Sequence, residues 1–202
     1  MFKDLKVCIK EIKGYKLDAD RLPILHSLID FIQEKRDEGE NINLNFICTH
    51  NSRRSHLSQI WAQTIAAYFD IPKVYCYSGG TEATALYPKV METLKSYGFK
   101  IGKLSEGNNP VYAIKYGSNS QPIVGFSKTY DDTFNPESNF AAIMTCGHAD
   151  ENCPYIPGAE KRIAFTFDDP KEFDGTDLQT EKYKERSLEI ASQLYYVFSK
   201  VV

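Results

Sequence analysis

No run of apolar residues in the 202-residue chain approaches the roughly 18 needed to cross a bilayer, so no membrane-spanning helix is expected. The first stretch, MFKDLKVCIKEIKGYK, carries a charge every few positions and has no apolar centre, so it does not read as a secretory signal. Charge of one sign is also lacking. A formal net charge of −3 provides no broad field for nucleic acid or an anionic membrane, so neither is an expected partner. Any anion bound here must be held by local groups. An even set of cysteines is missing too. Five of them, Cys8, Cys48, Cys76, Cys146 and Cys153, without a secretion signal, argue against a disulfide framework and for a reducing, cytoplasmic compartment. Internal repeats are absent. The length suits one domain with a real core, and the 42% hydrophobic and 25% charged content is that of an ordinary soluble protein.

What is present alternates between two periodicities. Residues 19–38 place Leu22, Leu25, Leu28, Ile29 and Ile32 on one helical face. INLNFIC (42–48) alternates and then turns continuously apolar, as a strand entering a core does. A helix is expected from near Ser55, with Leu57, Ile60, Trp61, Ile65 and Tyr68 at helical spacing, Trp61 being a core residue. KVYCYS (73–78) reads as a second strand closed by Gly79-Gly80, 87–99 as a helix, AAIMTC (141–146) and KRIAFTF (161–167) as further extended runs, and 177–201 as a long closing helix. Strands alternating with helices predict a three-layer α/β/α fold around a mainly parallel sheet. The whole of 1–202 is expected to be one domain, with an N-terminal helical extension (1–41) and a loop or hairpin insertion (103–139) rich in Gly, Asn, Ser, Pro and Tyr.

The segment that carries chemistry begins at the end of the first strand. Cys48-Thr49-His50-Asn51-Ser52-Arg53-Arg54-Ser55 is a Cys-x5-Arg-Ser run that leaves a strand and opens a helix, the position where parallel α/β sheets bind ligands. A short loop there can turn successive N–H groups inward as an anion nest, backed by the helix N-terminus. The same field favours the thiolate of a cysteine on its rim. Arg54 can fold back and grip two oxygens with its planar fork, Asn51 can hold the loop's shape, and Ser55 can direct its hydroxyl at the sulfur. Thr49, His50, Asn51, Ser52, Arg53, Arg54 and Ser55 are therefore the candidate oxyanion-binding residues, and Cys48 the candidate nucleophile.

A second constellation lies at 145–170, TCGHADENCPYIPGAEKRIAFTFDDP. Cys146 and Cys153 on a polar, mobile loop suit thiol exchange with an adduct formed elsewhere. They also fit an inert pair, or, with His148, a zinc site left one ligand short. Asp168 and Asp169 are candidate acids. Cys8 and Cys76 read as structural, and His26 and His56 sit in helices without metal spacing.

FICTHNSRRS resembles the phosphate-binding loop of the low-molecular-weight protein tyrosine phosphatase superfamily, whose usual form is close to CxGNxCRS. Cys48, Asn51, Arg54 and Ser55 match it; His50 replaces the usual glycine and Arg53 stands where many members carry a second cysteine. VYCYSGGTEA is similar to the second strand and turn of that superfamily. The segment with Cys146, Ala149, Asp150, Cys153, Pro154, Lys161, Arg162, Phe167, Asp168, Asp169 and Pro170 in register resembles the thioredoxin-coupled arsenate reductases of the same fold. The resemblance covers roughly 43–102 and 140–200. It implies reduction of arsenate to arsenite, with Cys48 as nucleophile, Asp169 as general acid, and Cys146 and Cys153 passing a disulfide outward to thioredoxin or a similar dithiol. The alternative it leaves open is a phosphatase acting on phosphomonoesters through a Cys48 phosphocysteine. No bound cofactor or metal is expected; at one position of a cation site found in some members this chain carries Gln59 in place of glutamate.

Overall fold

The computed structural model describes residues 1–152 and 155–202. Its central sheet holds β1 (Ile42–Cys48), β2 (Val74–Gly80), β6 (Phe140–Met144) and β7 (Ala159–Ala164) in the order β2-β1-β6-β7. Every pairing in it is parallel, with Cys48 opposite Gly80 and Ile47 opposite Met144. The continuous apolar character of β1 follows from this central place, since a parallel strand is covered on both faces.

The helices are α1 (Lys3–Ile12), α2 (Leu22–Asp37), α3 (Arg54–Tyr68), α4 (Pro88–Ser96), α5 (Gly147–Asn152) and α6 (Gln179–Lys200). Residues alternate between two cores, as the strand period demands. Leu44 and Phe46 of β1 join the large core built with α1 to α4 and α6. Ile47 joins a smaller one with Ala142, Met144, Cys146 and Ala149, covered by α5, and Cys48, where the strand ends and the alternation breaks, joins the same one. The three layers are therefore unequal in thickness. α3 sits at the centre of the thick side: eleven of its fifteen residues are buried, so it cannot show the one-sided pattern of a surface helix. The Trp61 indole is fully buried, as its place in the helical pattern suggested, and its N–H donates to Ser187 Oγ at 2.9 Å, tying α3 to α6.

β2 is an edge strand, and an open edge invites pairing with another chain. Gln63 of α3 closes it. Its amide donates to Val74 O at 2.9 Å and accepts from Cys76 N at 3.0 Å, in place of a neighbouring strand. Cys76 itself is buried, and burial pushes its thiol far up.

The structure adds detail to two readings and corrects a third. The N-terminal extension holds a helix, α1, that its dense charge conceals; Leu5, Cys8, Ile9 and Ile12 line one narrow buried side, and burial raises the Cys8 thiol to about 12. The hairpin expected within the insertion is β4 (Tyr112–Lys115) with β5 (Ile123–Gly125), and β3 (Lys100–Lys103), just ahead of the insertion, pairs with β4 to make a separate antiparallel sheet. Residues 147–152, expected as a mobile loop, form α5, and Cys146 is 1% exposed. Burial there comes from Met144 and Ala149, which local polarity does not disclose.

Candidate active site

β1 ends at Cys48 and α3 begins at Arg54, so residues 49–53 must turn within one short loop. Asn51 makes the turn with φ 44°, a left-handed conformation that asparagine tolerates better than most residues. Its side chain is tied at both ends. Oδ1 accepts from Lys128 N at 2.9 Å, and Nδ2 donates to Ser55 Oγ at 2.9 Å. Because that donation occupies a lone pair, the Ser55 hydroxyl is free to point its hydrogen at Cys48 Sγ, 3.1 Å away.

Beneath the loop lies His56, fully buried. Its Nε2 is 3.0 Å from Asn51 O and its Nδ1 3.2 Å from Ser78 Oγ. A carbonyl can only accept, so Nε2 carries the hydrogen and Nδ1 accepts from Ser78. The ring is neutral: burial, then the neighbouring Lys128 charge, lower its pKa to about 3. Lys128 is itself 2% exposed and sits between the rings of Phe126 and Phe134, and burial lowers its ammonium to about 8. The Lys128 segment continues the sheet at this point: Gly80 N donates to Lys128 O, and Tyr130 N to Gly80 O, both at 2.9 Å.

Gly80 lets the loop close on β2. A Cβ there would lie 2.7 Å from Asn51 N and from Thr49 O, so any side chain would push the loop away. Backbone donations from Thr81 N to Cys48 O (3.1 Å) and from Glu82 N to Thr49 O (2.8 Å) complete the support.

The charged groups divide in two directions. Arg54 donates to Asp169 Oδ2 at 2.5 Å and to Phe167 O at 2.7 Å, and Arg54 and Asp169 line a small bowl with Cys48, Thr49, His50, Ser52 and Arg53. Asp169 Oδ1 also accepts from Lys171 N at 3.1 Å, starting the short turn Pro170–Phe173. Asp168 is turned out to solvent beside Arg186. The Arg53 guanidinium is held elsewhere: it donates to Tyr183 Oη and Asp174 Oδ2, each at 2.6 Å, and stacks over Tyr87 at 4.1 Å. Burial works to raise the Asp174 carboxyl, but Tyr183, Gln179 and Arg53 outweigh it and hold it below its ordinary value. The exposed His50 ring stands 3.9 Å from Glu82, while its carbonyl accepts from Thr84 Oγ1 and Ser127 Oγ.

Cys146 reaches the loop from β6. Its Sγ lies 3.5 Å from Thr49 Oγ1 and accepts from Ala149 N at 3.4 Å. Thr49 Oγ1 is also 3.3 Å from His148 Nδ1. Cys153 lies outside the described residues. Cys8, Cys48, Cys76 and Cys146 are free thiols, and among the described residues no group of three or more His, Cys, Asp or Glu side chains is placed to hold a metal. Gln59 donates to Cys76 O at 3.1 Å. Reading the sequence missed His56, Ser78 and Lys128 as supports of the loop; the only sequence signal was His56 at the start of the helix, two positions after Arg54.

A curated arsenate reductase of Staphylococcus epidermidis is 30% identical over 125 residues, spanning 62% of this chain and 76% of that protein. The chain belongs to the arsenate reductase family. No family model matches it. Its fold is shared by a low molecular weight phosphotyrosine phosphatase from Vibrio cholerae O395 (TM-score 0.53, 14% identity, 79% of this chain and 95% of that one). It is shared also by an arsenate reductase solved in a phosphate-binding state (TM-score 0.50, 17% identity, 80% and 99%). The three-layer architecture is thus that of the low-molecular-weight phosphatases, and this family member is an enzyme of the arsenate reductase type. No helix among the described residues is long and apolar enough to cross a membrane.

Proposed function

We propose that this chain reduces arsenate to arsenite through a thiol relay that starts at Cys48. Arsenate enters the bowl and is held by loop N–H groups, by the unpaired first N–H groups of α3, and by Arg54. Arg53 contributes its backbone, because its guanidinium is committed to Tyr183 and Asp174. To grip the anion, Arg54 exchanges the Asp169 carboxylate for substrate oxygens, which frees Asp169 to carry a proton. The Cys48 thiolate attacks arsenic while Asp169 protonates the departing oxygen, so that water leaves and a sulfur–arsenic bond forms.

The Cys146 thiolate then attacks Cys48 sulfur. The sulfur–arsenic bond breaks with its electron pair passing to arsenic, which falls from the +5 to the +3 state, and a Cys48–Cys146 disulfide forms. Cys153 attacks Cys146 in turn and regenerates the Cys48 thiolate. A dithiol protein of the thioredoxin kind removes the Cys146–Cys153 disulfide. The observation that carries this reading is the buried Cys146 thiol at 3.5 Å from Thr49 Oγ1, inside the anion loop. A simple phosphatase has no use for a thiol in that place.

The test is arsenate-dependent NADPH oxidation with thioredoxin and thioredoxin reductase. Turnover that is lost in Cys48→Ser, Cys146→Ser and Cys153→Ser supports the relay. No arsenate turnover, together with p-nitrophenyl phosphate hydrolysis that survives Cys146→Ser but not Cys48→Ser, would make the chain a phosphatase.

A further inference from the structure

The relay needs Cys146 as a thiolate, and at 1% exposure its sulfur is closed off from bulk solvent, so its proton needs a route out. The structure supplies a path outward. Thr49 Oγ1 lies between Cys146 Sγ (3.5 Å) and His148 Nδ1 (3.3 Å), and His148 is exposed to solvent. We propose that His148 is a positioning residue that takes the Cys146 proton through the Thr49 hydroxyl and so readies this thiol. The inference rests on the reading of Cys146 as the second nucleophile.

A hydroxyl carries one hydrogen and two lone pairs, so the same two contacts suit both ends of the transfer. Before it, the Cys146 S–H donates to Thr49 Oγ1 and the Thr49 O–H donates to His148 Nδ1, the ring being protonated at Nε2. The sulfur's hydrogen moves to Oγ1 as the hydroxyl's own hydrogen moves to Nδ1. The electron pair stays on sulfur, threonine is unchanged, and imidazole becomes imidazolium. Afterwards Nδ1–H donates to Oγ1 and the hydroxyl donates to the thiolate, which also accepts from Ala149 N at 3.4 Å. The imidazolium releases its proton to solvent.

The experiment reads Cys146 directly and uses no arsenate, so its result is separable from failure of the reductase reading. The reduced full-length protein is treated with iodoacetamide at neutral pH, and the rate of labelling at Cys146 is followed by peptide mass spectrometry. Thr49→Val and His148→Ala are each expected to slow labelling by about a hundredfold, the lower end of what a positioned proton acceptor supplies. Thr49→Ser should retain the rate, and free imidazole should restore it in His148→Ala. Rates unchanged or faster in both disabling variants, or a loss in His148→Ala that imidazole leaves untouched, would overturn the proposal.

Discussion

Replacing His56 by glutamine should change stability by an amount that depends on pH, in a direction the structure fixes. The ring is buried and neutral, with a pKa of about 3 against an ordinary value of 6.5. Since its folded pKa is depressed, the unfolded chain binds the proton first. Stability is complete above the unfolded value and is lost as pH falls from about 6.5 towards 3. With 1.36 kcal/mol per pKa unit, His56 alone withdraws about 3 kcal/mol between pH 7 and pH 4. Glutamine has no proton to gain. At pH 7 the variant also gives up part of the bonding to Asn51 O and Ser78 Oγ, a loss of about 1–3 kcal/mol when a buried partner is left unpaired. The wild type should therefore be the more stable protein at pH 7, and the gap should close or invert by pH 4. Urea unfolding followed by circular dichroism at pH 7, 5.5 and 4 measures it, since other acid-titrating groups are common to both proteins. A gap that stays constant across the three would refute the assignment of a neutral, buried ring under the loop.

The loop and its surroundings respond to three further substitutions. Gly80→Ala should abolish turnover while the fold persists by circular dichroism, because a Cβ 2.7 Å from Asn51 N and Thr49 O displaces the loop and leaves the core alone; wild-type kinetics in this variant would contradict the close approach. Asp169→Asn should lower kcat by about 10²–10⁴-fold, the usual worth of a general acid, with folding unchanged by thermal melt. Lys128→Met should stabilise the protein at pH 7. A lysine with a folded pKa of about 8 and an ordinary value of 10.5 carries a penalty of about 3 kcal/mol below pH 8 that vanishes as pH rises through 10.5. Loss of the cation–ring contacts to Phe126 and Phe134 offsets part of it, and urea midpoints at pH 7 and 10.5 read the difference.

Sequence pattern exposed those parts of the fold whose cause is local. β1 is legible because a central parallel strand must be apolar on both faces, and the loop is legible because Cys48, Asn51, Arg54 and Ser55 keep the spacing of a strand-to-helix turn. α1 was hidden by its charges, since only Leu5, Cys8, Ile9 and Ile12 face inward. β4 and β5 are too short, at four and three residues, for any periodicity to show. The side chains whose roles stay hidden in the sequence are those whose partners are remote. Arg53 looked like added charge for an anion until Asp174, 121 positions away, was found to hold it. His56 and Lys128 are polar residues that only tertiary packing buries, and nothing near them in the chain announces it.

In the proposed relay, electrons pass from this chain's own thiols to arsenic. A single-turnover experiment without any external reductant isolates that transfer: fully reduced protein is mixed with excess arsenate, arsenite is counted, and disulfides are mapped by mass spectrometry. One arsenite per chain with a Cys146–Cys153 disulfide, and a trapped Cys48–Cys146 disulfide in Cys153→Ser, is the predicted result. No arsenite from a protein that still hydrolyses p-nitrophenyl phosphate would contradict it.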